Sequence, residues 1–170
     1  MNITNKIIIT DTNIITDLYN AGVLSEFINL DNVYISDLVM SLEINSKSGN
    51  IALIKNMKQI PASSSQLLKI NKLSTMEKKL SMCDLTGFIL AKDHNGILAT
   101  GDLRLYKYAT QNNVETMRTL KIIQLLWEND IISTKKALKA YSLLLNNPHT
   151  RIPKDEIREK INELTTFISW

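Results

Sequence analysis

The chain has 170 residues, 44% of them hydrophobic and 22% charged, which suits one domain over residues 1–170 with a substantial core and is too short for two. Its formal charge of +3, from 20 basic and 17 acidic side chains, permits contact with nucleic acid without arguing for it. One cysteine, Cys83, excludes an internal disulfide, and two histidines are too few for a zinc cluster, so a metal here must be held by oxygen.

In chain order, the first element is announced by "IIITDTN", residues 7–13. Four β-branched or apolar residues without helical period read as a strand buried on both faces, over residues 6–10, with Asp11 at its carboxyl end. Short helices are expected over 13–20 and 23–30, a strand over 33–35, and a helix over 37–47 with Leu38, Leu42 and Asn45 along one stripe. "ASSSQ", residues 62–66, reads as a flexible loop, residues 67–70 as a weak strand, and Ser74 with Glu77 as a capping box at a helix start. A helix from Met82 to about His94 stops at Asn95-Gly96, whose residues tolerate a left-handed turn. Strands follow at 97–100 and 114–116. Beyond about residue 118 the pattern is helical to the end, with Pro153 placed where a helix can begin. Alternating strands and helices give an α/β domain with a mostly parallel sheet.

Candidate site residues fall out of that layout. "ILATGD", residues 97–102, repeats the opening pattern: a buried-looking strand, then Thr100 and Asp102. In open parallel sheets ligands bind beyond the carboxyl ends of the strands, which is where Asp11 and Asp102 fall. Either aspartate also reads as a plain helix N-cap. In "MCDLTGFILA", Asp84 shares a helix face with Gly87, Phe88 and Ala91, an expensive place for a carboxylate unless a cation or the positive helix end compensates it. Glu43 follows Val39 and Met40 by one turn, yet a surface pair with Lys47 explains it equally well.

Other chemistries fail on detail. A phosphatase of the haloacid dehalogenase type wants D-x-D, and position 13 is Asn. No glycine-rich phosphate loop exists. Cys83 reads as a small core residue, and His94 as a helix-ending cap. Tyr106 and Tyr108 could stack on bases or simply pack. The basic residues of the last forty positions, among them Lys135, Lys136, Arg151 and Arg158, are interleaved with Asp155, Glu156 and Glu159 as on a solvated helix.

"IIITDTN", "SDLVMSLEI", "LSMCDLTGFILAKDHNGILATGD" and "RTLKIIQLLWENDIIS" together resemble the PIN domain, the fold of VapC-type toxin ribonucleases. The resemblance implies a three-layer α/β/α fold with a helical C-terminal extension, and four acids carried over as Asp11, Glu43, Asp84 and Asp102. Asp37 is another acid in the Glu43 segment. "TRIP" and the charged helix after it are similar to a tail found in one bacterial subgroup. The resemblance further implies metal-dependent endoribonuclease activity with Mg²⁺ or Mn²⁺, an RNA substrate, a cognate antitoxin and a homodimer. Hard divalent ions prefer carboxylate oxygen, and Asn13 and Thr100 are placed to hold those carboxylates by hydrogen bonds or to be simple turn residues. An RNA-binding or assembly module of the same fold, with weak or lost nuclease activity, is the alternative. No apolar run reaches the roughly 18 residues that cross a bilayer, and "MNITNK" lacks the order of a signal peptide. The expected location is cytoplasmic.

Overall fold

The computed structural model of the chain describes residues 2–44 and 52–168. Five strands form one sheet: β1 (Ile8–Thr10), β2 (Val33–Ser36), β3 (Gln59–Ile60), β4 (Ile97–Ala99) and β5 (Glu115–Met117). Their order is β3-β2-β1-β4-β5, and every pairing is parallel. The first pair runs outward to β3 and the second outward to β5, so the chain reverses its direction of travel between β1 and β4. A crevice opens at such a switch point, beyond the carboxyl ends of those two strands.

Alternate residues of each strand face opposite sides, and neither side is solvent. Ile8, Ile35, Ile97 and Ala99 enter one core with Leu18, Phe27, Ile122, Tyr141 and Leu144. That layer is made by α1 (Thr12–Asn20), α2 (Leu24–Ile28), α7 (Thr119–Glu128), α8 (Thr134–Asn146) and α9 (Lys154–Ile168). Ile9 and Leu98 enter the other core with Ile70, Leu85, Phe88, Leu105 and Ala109. It is covered by α4 (Ser64–Met76), α5 (Met82–Asp93) and α6 (Leu103–Gln111). This is the three-layer α/β/α fold that the resemblance implies, and the C-terminal helices are part of its core.

Several local expectations are corrected. Residues 67–70 are helical, inside α4, because Ser63 and Gln66 form a capping box that starts the helix immediately upstream. The hydroxyl of Ser63 accepts from the Gln66 amide at 3.3 Å while the Gln66 side chain accepts from the Ser63 amide at 2.9 Å. "ASSSQ" is therefore a helix start and not a loop. Ser74 lies in the last turn of α4, donating to the Asn71 carbonyl, and Glu77 closes that helix. The edge strand is β3 instead, whose two residues carry too little apolar signal to stand out. The helix expected over 37–47 is a single α-turn, α3 (Asp37–Val39), followed by a π-helical turn (Met40–Ile44). Leu42 is exposed there, while Asn45 and Lys47 lie outside the described residues.

Candidate active site at the carboxyl ends of β1 and β4

Asp11 leaves β1 and caps α1. Its Oδ1 accepts from the Ile14 amide at 2.8 Å, as an N-cap should. Its Oδ2 accepts from the Thr100 hydroxyl at 2.5 Å and from the Gly101 amide at 3.3 Å, both at the end of β4. Burial pushes the Asp11 carboxyl up to about 6, against the pull of these hydrogen bonds and one from the Asn13 side chain. Gly101 has no alternative here: a Cβ on it would stand 2.9 Å from the Asn13 Cβ on the first turn of α1.

Thr100 is fully buried between the two acids. Its hydroxyl donates to Asp11 and accepts from the Asp102 amide at 3.0 Å. Asp102 then caps α6, with Oδ1 accepting from Arg104 at 2.7 Å and Leu105 at 3.0 Å. Its Oδ2 has no hydrogen bond among the described residues. On the other side, the Thr12 hydroxyl, one residue past Asp11, donates to Glu43 Oε2. Glu43, Thr12, Asp11, Thr100 and Asp102 thus form one connected string across the crevice. Glu43 sits on the π-helical turn, an irregularity frequent at functional sites.

Asp84 reaches the same end of the sheet by a different route. α5 runs into β4 through a short turn, so its C-terminus is at the amino edge of the sheet and its first turn at the carboxyl edge. Asp84 turns back to accept from the Ser81 amide at 2.8 Å, while the Ser81 hydroxyl accepts from the Asp84 amide at 3.1 Å. This reciprocal cap is what makes the carboxylate tolerable on an apolar helix, and its Oδ1 has no hydrogen bond among the described residues. Asp37 is exposed and accepts from the adjacent Leu38 amide at 2.7 Å, while Ser36 caps that turn through the Val39 amide.

Among the described residues no three His, Cys, Asp or Glu side chains converge as a ligand group. The acids share an edge without forming a tight cage. That still fits a hard dication such as Mg²⁺, which takes one or two carboxylates and keeps several waters. The donor set is all oxygen, and burial raises the Asp11 carboxyl there.

Two features escaped the sequence reading. Thr12 was hidden between two more conspicuous residues. Asp17 lies one turn beyond Asn13 on the same polar stripe of α1, a spacing that could have exposed it. The Thr119 hydroxyl donates to Asp17 Oδ2 at 2.7 Å, and burial raises the Asp17 carboxyl although Arg118 and Arg151 pull it down. Tyr108 packs edge-on against Phe88 at 4.9 Å, and His94 closes α5.

An open parallel sheet with Asp11 and Asp102 at its switch point defines the class: an α/β domain with acids at the carboxyl ends of its central strands. More particularly, a family model described as a PIN domain matches residues 7–166, and the chain belongs to the PIN domain family. Searches of curated proteins and of solved structures give no match. The PIN domain is a nuclease fold, generally served by divalent metals and binding RNA. Among the described residues no helix is long and apolar enough to cross a membrane.

Proposed function

We propose that the chain is a metal-dependent endoribonuclease, the VapC-like toxin of a toxin–antitoxin pair, with Asp11, Glu43, Asp84 and Asp102 as its acidic site. What supports this reading most is that the neighbours Asp11 and Thr12 are tied by hydrogen bonds to Glu43 on one side and, through Thr100, to the Asp102 amide on the other, at the switch point. A merely structural cap needs its amide partners alone; it does not need a second acid held beside it.

In this reading Asp102 and Asp84 offer their unpartnered oxygens to Mg²⁺ or Mn²⁺, and Asp11 and Glu43 complete the edge. When bound, the ion supplies Lewis-acid charge that lowers the pKa of an attacking water and offsets charge on the phosphate. Thr100 holds Asp11 and the Asp102 backbone at a fixed separation, and Asn13 adds a hydrogen bond to Asp11. Glu43, anchored by Thr12, accepts a proton from the attacking water. An antitoxin would mask the acidic edge, and a homodimer is the expected working form.

The test is cleavage of a labelled RNA by the purified chain in Mn²⁺, Mg²⁺ or EDTA, beside Asp102→Asn. Metal-dependent cleavage by the parent and its loss in the variant are expected. RNA binding without cleavage in any metal would favour the binding-module reading. Growth arrest by the chain expressed alone, relieved by a co-expressed antitoxin, tests the toxin role separately.

A further inference from the structure

Beside the acidic edge lies a recess of mixed charge, where Asp17, Glu156 and Glu159 line the walls together with four cations. α1, the start of α7, the connection over residues 147–153 and α9 enclose a cavity of about 480 Å³, within the roughly 300–1,000 Å³ of small-ligand pockets. It begins at Asn13 and Gly101, which also border Asp11, and runs away from the sheet toward Arg118, Lys121, Arg151 and Lys160. A second recess of about 210 Å³ shares Gln124 and Lys160 with it and continues to Trp127 and Tyr141. The path leads outward from the crevice along the C-terminal helices.

Arg118 and Lys121 share the start of α7, whereas Arg151 lies in the connection and Lys160 on α9, and their settings differ. Arg118 lies 4.0 Å from Glu156, with its guanidinium 5.9 Å from the centroid of the Tyr106 ring. Arg151 has no ion pair among the described residues. Asp17 stands between the cavity and the crevice with Oδ2 held by Thr119, and its Oδ1 has no hydrogen bond among the described residues. A site for a bare anion would be lined by donors alone. Guanidinium groups beside a carboxylate acceptor instead suit a ligand that joins a phosphate to N–H donors, and a nucleotide has both.

We propose that this cavity is a nucleotide subsite for single-stranded RNA, holding the nucleotide next to the bond at the acidic edge, with Arg118 and Arg151 on its phosphate and Asp17 accepting from its base. The subsite rests on the nuclease reading for its neighbour but not for its own chemistry. It gives the C-terminal helices a part in choosing the substrate, since Arg151 and Lys160 are supplied by them and by the connection before them.

The experiment is equilibrium binding of a short fluorescein-labelled single-stranded RNA to the full chain in EDTA, across a salt series. Arg118→Ala with Arg151→Ala should weaken binding about tenfold or more and make the salt slope shallower by roughly 0.7 for each phosphate that is no longer neutralised. Because Arg118 also packs on Tyr106, Lys121→Glu, on the exposed wall, serves as a variant that keeps the fold and should weaken binding too. Lys139→Ala, exposed on α8 and outside the cavity, should bind as the parent does. A folded double variant, or Lys121→Glu, with parental affinity and slope overturns the subsite even if the parent cleaves RNA. Binding that depends on these residues in a parent that cuts nothing supports the subsite and overturns the nuclease reading alone. A parent that binds no RNA, or prefers an acidic peptide in the same cavity, overturns the subsite.

Discussion

Two strand–aspartate–helix units stand side by side in the sheet, and they use the same aspartate differently. Asp11 after β1 has both carboxylate oxygens bound by the protein and is pushed up by burial to about 6. Asp102 after β4 spends one oxygen on its helix and leaves the other without a hydrogen bond among the described residues. A cap uses one oxygen, so under the proposed function the second oxygen of Asp102 would be available to a cation. The same reading would separate the pair by role, with Asp11 the acid whose charge burial makes costly and Asp102 the acid whose charge is offered.

The largest expected effect removes one charge from either unit. Asp11→Asn and Asp102→Asn each keep an oxygen for the cap, so both variants should fold, yet each should lose RNA cleavage by about 100-fold or more. Cleavage rates beside thermal melts check this, and in cells Asp11→Asn should accumulate as a harmless protein that still binds the antitoxin. Parental cleavage by a folded Asp102→Asn would leave that aspartate as a cap only.

Next in size is a pH effect carried by Asp11. The folded protein holds a proton on Asp11 up to about pH 6, whereas the unfolded chain releases it near the ordinary value of 3.8. Between those values the native state binds more protons, so stability falls as pH rises through the window, by up to about 3 kcal/mol. Urea midpoints in EDTA from pH 4 to 7 should show this decline. Asp11→Asn should reduce it, leaving the contribution of the partly buried Asp17 carboxyl. Mn²⁺ should restore stability at pH 7 by binding only the folded state.

Thr100→Val probes the link between the units. It keeps the shape but removes the donor to Asp11 and the acceptor for the Asp102 amide, a cost of about 1–3 kcal/mol for buried groups left unpaired. Cleavage should fall about 10- to 100-fold, as for a group that orients a ligand. A stability loss with unchanged cleavage would show that the separation of the two acids is not critical. The smallest effect is expected of Asp37→Asn, whose exposed carboxylate serves one local amide: less than about 0.5 kcal/mol in stability and no change in cleavage. If this variant, rather than Glu43→Gln, proves inactive, Asp37 belongs to the site and Glu43 does not.

The strand ends were readable because burial on both faces leaves a strong trace, an unbroken apolar run closed by Thr or Asp. The helix capped by Ser63 was less so, since three consecutive serines offer equivalent caps and Ser74 with Glu77 imitates a capping box further on. Packing of Ile70 into the core on that face selects among them. The two-residue edge strand β3 left no periodic trace at all, because it is held mainly by backbone hydrogen bonds that any sequence can make.

The residues alone therefore determined the parallel α/β class, the strands that carry Asp11 and Asp102, and the oxygen-only character of the acidic set, because burial, turn chemistry and side-chain type are local properties. Which strands are neighbours was decided in three dimensions. Backbone ladders are indifferent to sequence, and only the joint packing of both sheet faces sets β1 beside β4, which brings Thr100 to Asp11 across 89 residues and Thr119 to Asp17 across 102. No local pattern encodes those separations, so the threonine between the acids and the cavity of mixed charge beyond them emerge only when the sheet and its helices close on one another.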